Sequence, residues 1–479
     1  MTDKEKTMTK RDEQIVERIH QNTLHILEEI GMAFLSEDAL ETLRKGGIHV
    51  EGNRAYFTKE QVMHALDVAT KDFTVYARND AYNVHMNMED LYITPGYGSP
   101  SICEADGTVR PSTFDDFLKL SKIIQSSDAF AINGGILAQP VDIDPGISAE
   151  AMVYATLCCS DKALFSVCGG GVQAENIMKM LRIVFDGDIE KIPCSFHLIS
   201  TLSPLGITRD TLDTIDVCAK NGQPLVIAPG PMAGGTGPIS LAGNTSLANA
   251  EILGTNVYAQ LVHPGTPIIY GFAATVSDMR NMNVSNSCPG FLKEARYGAL
   301  LSKKYGLACR SGGGMSNANG LTAQAGVESA MNLFESFSEK ANLVMHATGS
   351  LHSFNTVSYE KFIMDIETID RMRYYFSDLP DDEDSLAFEA IQEVVSEGSN
   401  FVTSEHTFER CRIDPWYSTV SVHSNGHGNP NDELYASAQK RITAILDEYK
   451  YPAFSQAKRE TLDSIMRSLG MKDKDIAKV

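Results

Sequence analysis

The sequence predicts an α/β fold, a (β/α)8 barrel of the TIM type with helical extensions at its N-terminal and C-terminal ends. From about residue 113, short apolar runs that end in small residues alternate with helix-like segments, and the first seven runs begin 30 to 43 residues apart. Strands that alternate with helices pair in parallel, and eight such units suggest a closed barrel. The predicted strands lie at residues 130–134, 164–169, 195–200, 225–230, 268–273, 307–312, 343–349 and 401–406.

An open doubly wound sheet is the alternative architecture for the same rhythm. We expect three parts: an N-terminal extension of helices and short strands over residues 1–112, the barrel over 113–425 and a C-terminal helical extension over 426–479. In the first part, isoleucines and leucines between 14 and 30 share one helical face, and Thr58 to Gln61 has the T-x-x-Q form of a capping box. The loop HSNGHGNPN at 423–431 separates the barrel from the last helices.

The composition is that of a globular protein, with 43% hydrophobic and 22% charged residues. No apolar run approaches the roughly 20 residues that cross a bilayer. The polar start MTDKEKTMTKRDEQ lacks the apolar core of a secretory signal, so we expect a cytoplasmic protein. Nine cysteines form no CxxC pair, which favours reduced thiols over disulfides. A net charge of -21 disfavours nucleic acid and anionic membranes as partners.

In a barrel of this kind, functional residues lie at the C-terminal ends of the strands and in the loops that follow them. This rule selects Arg310 at the end of the sixth predicted strand and His346 in the seventh. A guanidinium in an apolar mouth needs an anion, which is either a structural carboxylate or part of a substrate. His346 is either a core histidine or a site residue, and it is the one candidate for a catalytic role.

Aromatic residues cluster at the same strand ends. Tyr97 lies in TPGYGSP, Phe272 ends the fifth predicted strand, and Phe354 and Tyr359 follow the seventh. Aromatic faces attract a quaternary ammonium group by about 0.5 to 2 kcal/mol per contact. Most aromatic residues are core, and it is the shared location of these four that makes them candidates for a cage.

Two glycine-rich stretches follow strands. The first, at 228–244, contains Gly234 and Gly235 but lacks the Gly-Lys-Ser/Thr ending of a P-loop. The second, CRSGGGMSN at 309–317, contains Gly312, Gly313 and Gly314. Such glycines either cradle a phosphate, or allow a loop to pack closely, or leave space at a binding site.

The sequence lacks the residues that two other barrel chemistries would require at the strand ends. No lysine ends a predicted strand, so a Schiff-base aldolase has no nucleophile. The pair Cys158 and Cys159, with Cys168 following, is similar to a thiolate zinc site, but the pair lies in a helical stretch and not at a strand end. We therefore expect no metal site.

The run PGPMAGGTGPISLAGNTSLANAEILGTNVYAQLVHPGTPIIYG at 229–271 closely resembles the trimethylamine methyltransferase family. Further similar segments are HQNTLHILEEIGM, GLTAQAGVESAMNL, SYEKFIMDIETI and NFVTSEHT, which together sample nearly the whole chain. Members of this family transfer a methyl group from a methylamine to a corrinoid protein. The resemblance implies a barrel with helical additions, a corrinoid carried by a partner protein, and a homo-oligomer.

One departure from the family bears on the substrate. Members that demethylate trimethylamine carry pyrrolysine, whereas this chain has standard residues throughout. The resemblance therefore implies the branch that demethylates quaternary amines, with glycine betaine as the first candidate and proline betaine or carnitine as others. Arg310 would then bind the carboxylate, the aromatic cage the ammonium, and the five glycines would make room for the corrinoid. A non-catalytic betaine sensor or carrier and a zinc-dependent methyltransferase are the alternatives.

Overall fold

The computed structural model describes residues 8–167, 169–421 and 429–479, and these residues form a closed barrel of eight parallel strands. A continuous sheet runs from β2 to β6, and a second sheet joins β7 to β8 and β8 to β1. A parallel bridge between Tyr270 and Cys309 connects the two sheets, and the Gly98 amide donates to the Ile136 carbonyl (2.8 Å) beyond the ends of β1 and β2. The predicted barrel is confirmed. In chain order the barrel strands are β1 Tyr92–Ile93, β2 Ile132–Gly134, β3 Ala163–Phe165, β4 Ser195–Ile199, β5 Leu225–Ile227, β6 Ile268–Tyr270, β7 Arg310–Gly312 and β8 Leu343–Met345.

The eighth strand is not the one that the sequence predicts. Residues 401–406 contain the 3-10 turn Phe401–Thr403 and the start of a helix, and the side chain of Val402 is 85% exposed. The strand that closes the barrel is Tyr92–Ile93, which precedes the seven correctly predicted strands and pairs with Leu343 and Val344. A strand of two residues is too short to show a periodic pattern, so only its neighbours define it.

Most of the helices surround the barrel, and three short ones belong to an arm beside it. They are α1 Lys10–His25, α2 Glu37–Lys45, α3 Lys59–Val68, α4 Phe114–Gln125, α5 Ser148–Cys159, α6 Gly171–Val184, α7 Arg209–Lys220, α8 Leu241–Val262, α9 Pro289–Tyr305, α10 Ala323–Ser338, α11 Tyr359–Phe376, α12 Glu383–Leu386, α13 Phe388–Glu397, α14 Glu405–Arg410, α15 Pro430–Glu448, α16 Gln456–Leu469 and α17 Asp473–Ile476. Each helix that follows a barrel strand runs back antiparallel to it. The N-terminal ends of α8 and α9 therefore lie on the same side of the molecule as the C-terminal ends of the strands, which is the mouth of the barrel.

Short strands lie on the loops at the mouth. Met232–Ala233, Thr275–Asp278 and Asn283–Ser285 form one sheet from the loops after β5 and β6. Ser350–Leu351, Thr356–Val357, Ser101–Cys103 and Val109–Pro111 form another from the loops after β8 and β1. Because these loops pair with one another, the mouth is bounded by hydrogen-bonded structure.

The extension at the N-terminus packs on the barrel helices. Thr58 and Gln61 form the predicted capping box at the start of α3, and Met32–Phe34 pairs with Gly206–Ile207 in the loop after β4. The strands His49–Glu51 and Arg54–Tyr56 continue that sheet, while Phe73–Val75 pairs with Val84–Met86. The predicted helices at the C-terminus are present as α15 and α16, whereas residues 422–428 of the preceding loop lie outside the described residues. The division into three domains stays a prediction.

Residues 377–421 form an arm of short helices beyond α11. The arm is held to α11 by Glu367, whose carboxylate accepts hydrogen bonds from the Ser418 hydroxyl and from the backbone amides of Thr419 and Val420. Many large apolar side chains of the arm are exposed, among them Leu379 and Phe408. In the part of the chain described here, no helix has the length and apolar character to cross a membrane.

Candidate active site

A cavity of about 310 Å³ lies at the mouth of the barrel. A volume near 300 Å³ suits a small ligand. Its walls come from the ends of β4, β5, β6, β7 and β8 and from the loops after β1 and β8. The lining residues are Tyr97, Leu198, Ser200, Ala228, Ala273, Thr275, Phe291, Arg310, Met315, His346 and Phe354. Four of the six residues that the sequence selected for substrate binding therefore lie together.

Arg310 contributes a buried positive charge to this cavity. Its side chain is buried, its Nη1 donates to the Phe272 carbonyl (2.8 Å), and its Nε lies 3.4 Å from the Met345 sulfur. Among the described residues, no carboxylate forms an ion pair with it. Burial lowers the pKa of Arg310 to about 10, so the guanidinium remains a cation at neutral pH. A buried charge without a counterion is costly, so the arrangement suits an anionic group in the cavity.

His346 presents a neutral imidazole to the same cavity. Burial, with a smaller contribution from the Arg310 charge, holds the pKa of His346 well below its usual value. The backbone amide of Tyr97 donates to its Nδ1 (3.2 Å), so the neutral ring carries its proton on Nε2. His346 therefore offers one N–H donor next to a cation, which suits a second oxygen of a bound anion.

Aromatic rings form part of the wall beside Arg310 and His346. The Phe354 ring lies 4.7 Å from the His346 ring, and Tyr97 packs edge-on against Phe165. Phe354 has a φ of 76°, and the two residues before it also have positive φ. Non-glycine residues rarely adopt this conformation, and such strain concentrates at binding sites. The Ser353 hydroxyl lies within hydrogen-bond distance of the Val284 carbonyl (2.9 Å) and of the Asn317 Oδ1 (2.8 Å), and it stabilises the turn by donating its one proton to either oxygen.

Two predicted cage residues have other positions. The Phe272 ring packs against Gly298 of α9 and stacks on Tyr270 in the core, and only its carbonyl contacts Arg310. The Tyr359 hydroxyl donates to Asp116 (2.7 Å), and its ring lies under Lys119 at 3.8 Å. Neither ring lines the mouth cavity, because each projects toward a helix on the outer side of the barrel.

The glycine run after β7 allows two backbone segments to touch. A Cβ at Gly313 would lie 2.5 Å from the Ala347 Cα, and one at Gly314 would lie 2.3 Å from the Ala347 carbonyl oxygen. A Cβ at Gly312 would lie 2.2 Å from the Met315 Cε. All three glycines are buried, Gly313 and Gly314 against the loop after β8 and Gly312 against Met315 and Phe291. This close packing explains why glycine is needed at these positions, and their contact with the corrinoid stays a prediction.

Gly234 and Gly235 belong to a tight turn over the mouth. Gly234 has a φ of 87°, and its amide donates to the Gly237 carbonyl (3.0 Å). A Cβ at Gly235 would lie 2.5 Å from the Met232 Cε. These two glycines also serve close packing, and neither lines the mouth cavity.

Sequence reasoning missed several lining residues. Met315 directly follows the glycine run, and Leu198 and Ser200 end a predicted strand, so the rule of strand ends could have selected them. Phe291 lies at the start of α9 after a long loop, where no local pattern indicates its position.

The cysteines considered for zinc lie away from the mouth. Cys158 and Cys159 end α5 on the opposite side of the barrel, and burial raises the pKa of their thiols to about 12 and about 11. Cys168, the third cysteine of that hypothesis, lies outside the described residues. No cluster of histidine, cysteine and carboxylate side chains suited to a metal occurs within the described ranges.

The fold and the cavity define a (β/α)8 barrel protein whose mouth holds a cation, without a carboxylate partner among the described residues, beside aromatic faces. Residues 1–468 match the family model described as trimethylamine methyltransferase. The chain is 38% identical over 442 residues to the glycine betaine methyltransferase of Desulfitobacterium hafniense (strain Y51), covering 91% of this chain and 92% of that protein. It is 27% identical to the proline betaine:corrinoid methyltransferase of Eubacterium limosum, over 94% and 95% of the two chains.

The chain belongs to the trimethylamine methyltransferase family and is a methyltransferase, as the sequence resemblance implied. Among solved structures, the monomethylamine methyltransferase of Methanosarcina barkeri resembles it with a TM-score of 0.53 and 12% identity, over 92% of this chain and 90% of that chain. A hydroxylamine complex of the monomethylamine methyltransferase is similar to this chain to the same extent, with a TM-score of 0.54. At this identity the likeness establishes the shared barrel fold.

Proposed function

We propose that this protein demethylates a betaine, with glycine betaine as the first candidate, and passes the methyl group to the cobalt(I) of a corrinoid protein. The observation that carries the proposal is the buried Arg310 without a carboxylate partner among the described residues. A betaine supplies the missing carboxylate and, on the same small molecule, a quaternary ammonium for the aromatic wall.

The site residues bind and orient the substrate. Arg310 and the Nε2–H of His346 hold the carboxylate, while Tyr97 and Phe354 provide faces for the ammonium group. The methyl carbon passes to cobalt(I), and the electron pair of the broken carbon–nitrogen bond stays on nitrogen, so a neutral tertiary amine leaves. This step requires no general acid. The protein contributes by aligning the methyl group and by excluding water from the charges.

Two further observations favour a small betaine. Ala228 and Ala273 leave a cavity of about 310 Å³, which accommodates a compact zwitterion. The relatives reported above are named for glycine betaine and for proline betaine with a corrinoid acceptor. The chain consists of standard residues, so the substrate we propose is already quaternary and needs no residue such as pyrrolysine to activate it.

The direct test incubates the purified protein with cob(I)alamin and one amine at a time: glycine betaine, proline betaine, carnitine or trimethylamine. Methylcobalamin should form with a betaine, fastest with glycine betaine, and not with trimethylamine. Tight betaine binding in calorimetry without methylcobalamin would instead identify a sensor or carrier. Activity that is lost on chelation and restored by zinc would identify the zinc-dependent alternative.

We also propose that the chain forms a homo-oligomer in the cytoplasm. The described cysteines are all free thiols, which suits a reducing compartment. The apolar arm supports self-association. Exposed apolar side chains are stabilised when an interface buries them. A second copy of the same chain is always available to form such an interface.

A further inference from the structure

A second concave surface lies beside the mouth, on the outside of the barrel. It is a groove of about 540 Å³ between α1, the first turns of α8 and the first half of α9, and we call it the α1/α8/α9 groove. Ile15 and Ile19 of α1 and Leu241 of α8 contribute apolar surface, and Tyr297 of α9 borders it. The mechanism proposed above uses none of these residues.

Three cations rim the groove. Arg11 and Arg18 lie on one side and Lys293 on the other, and all three side chains are exposed. Within the described ranges, none of the three forms an ion pair with a carboxylate, although the chain carries a net charge of -21. The neighbouring acidic residues Asp12 and Glu17 are already paired, with Arg296 (2.9 Å) and Lys304 (2.8 Å). The groove is thus a local positive surface on an acidic protein.

The one carboxyl group that lines the groove does not cancel these charges. Glu294 is fully buried, its Oε1 accepts from Asn244 (2.9 Å), and its Oε2 has no partner among the described residues. Burial raises the pKa of Glu294 to about 8, so the group is mostly protonated at neutral pH.

Only one layer of side chains separates the groove from the mouth cavity. Phe291 lines the cavity, and Lys293 and Glu294 line the groove less than one turn later on the same helix. Asn244 spans the wall, because it donates both to Glu294 and to the carbonyl of Thr275 (3.4 Å), a residue of the cavity. A protein that covers the mouth would therefore also reach the groove.

The spacing of the cations favours a protein over a small anion. Arg11 and Arg18 are seven residues apart on α1, which places them about 10 Å apart along the helix axis. A single phosphate or carboxylate cannot contact both, whereas carboxylates on an apolar helix or loop can. Complementary charge speeds the encounter of two proteins and sets their orientation.

We propose that the α1/α8/α9 groove is the docking surface for an acidic, apolar segment of the corrinoid protein that accepts the methyl group. This inference rests on the proposed function. The inference adds two details to that function: the surface that brings the methyl acceptor to the mouth, and the kind of segment that binds to this surface.

The test uses the full chain and two methyl acceptors: free cob(I)alamin and a corrinoid protein that wild-type enzyme methylates from glycine betaine. Arg18→Glu and Lys293→Glu, alone and together with Arg11→Glu, reverse the rim charges. We expect KM for the corrinoid protein to rise roughly tenfold or more at low ionic strength, with the deficit shrinking in high salt. Turnover with free cob(I)alamin should not change. Lys340→Glu, an exposed lysine at the opposite end of the barrel, is the matched control and should alter neither assay.

An unchanged KM for the corrinoid protein would overturn the docking surface, as would equal losses with both acceptors. A changed molecular mass of the triple variant in sedimentation would also overturn it, since the groove would then join copies of this chain. Failure of the wild-type protein to methylate free cob(I)alamin from any betaine would contradict the proposed function instead.

Discussion

Arg310 is buried and Arg78 is half-buried, and their guanidinium groups have different surroundings. Arg78 donates to the carbonyls of Leu157 (2.7 Å) and Ser160 (2.8 Å) and to that of Ala453, so it ties three segments together. Arg310 has one backbone partner and faces a cavity. The first arrangement is typical of a structural arginine, and the second leaves hydrogen-bond donors for a ligand.

Replacing Arg310 by methionine should weaken betaine binding without unfolding the protein. The loss of a charge-assisted pair amounts to about 1.5 to 3 kcal/mol, which predicts a KM for glycine betaine that is roughly 10 to 150 times higher. Thermal stability should stay the same or rise, because an unpaired buried charge is removed. Steady-state kinetics and calorimetric unfolding measure both effects. Arg78→Met is the matched control, with the reverse outcome expected: lower stability and an unchanged KM. A large loss of stability in Arg310→Met would assign Arg310 a structural role.

The buried carboxyl group of Glu294 should make the free energy of unfolding depend on pH. Burial raises its pKa from 4.5 to about 8, so the folded state keeps a proton that the unfolded state has already lost. Stability should therefore decline as pH rises from about 4.5 to about 8, by up to about 4 kcal/mol. Glu294→Gln cannot ionise and should remove this decline, making the variant more stable than wild type at pH 8 but not at pH 4.5. Urea unfolding across this range measures it, with the exposed Glu448→Gln as control. Parallel curves for Glu294→Gln and wild type would contradict the prediction.

At the scale of elements, one buried ion pair joins the two loops that carry the site. Lys361 of α11 donates to the Gly314 carbonyl (2.7 Å), the Ser329 hydroxyl (2.6 Å) and Asp365 (2.6 Å). Asp365 in turn accepts from the Gly349 amide (2.7 Å). Gly314 lies four residues after Arg310, and Gly349 lies three residues after His346. The pair therefore sets the relative position of the two groups that would bind a carboxylate.

Removing one member of this pair should cost more than removing both. Lys361→Met leaves a buried carboxylate without its cation, and we expect a loss of roughly 3 to 5 kcal/mol in the free energy of unfolding. The double variant Lys361→Met with Asp365→Leu should recover part of that loss. Urea denaturation of the two single variants and the double variant completes the cycle. If the single changes add up to the double change, the two side chains do not act as a pair.

At the scale of the whole molecule, the arm at 377–421 exposes more apolar surface than a stable monomer usually does. Val402, Leu379 and Phe408 are each more than 80% exposed. Further exposed aromatic rings lie on α10 and at the end of α11, which leads into the arm: Phe334 contacts Tyr375 and Phe376 at ring distances of 5.9 and 5.3 Å. Large exposed apolar surface of this kind usually marks an interface.

Charges introduced on the arm should separate the subunits. Phe388→Asp combined with Phe408→Asp should lower the mass measured by sedimentation velocity to that of one chain. The fold should persist, because both side chains are exposed and neither supports the barrel core. Val109→Asp, at an exposed valine outside the arm, should leave the mass unchanged. A wild-type protein that sediments as a single chain would contradict the proposed self-association.

Much of the site followed from the position of residues along the chain. Arg310 and His346 were found because parallel strands bring their C-terminal ends to one mouth. The direction of a side chain was harder to obtain. Phe272 lies two residues after Tyr270, and residues two apart on a strand share a face, so the two rings stack on the outer side of the barrel, where Phe272 packs against Gly298 of α9. Tyr359 is the first residue of α11, and its hydroxyl donates to Asp116. The rule of strand ends selects positions along the chain, but it does not give the direction in which a side chain projects from them.

The sequence by itself determined the barrel class, the end of the barrel that holds the chemistry and the acidity of the surface. These properties depend on local periodicity and on composition, which neighbouring residues display directly. Tertiary structure alone decided that Tyr92–Ile93 closes the barrel, that no described carboxylate pairs with Arg310, and that Arg18 and Lys293 face one groove. Each of these depends on residues that are hundreds of positions apart, and such contacts leave no pattern in a single chain.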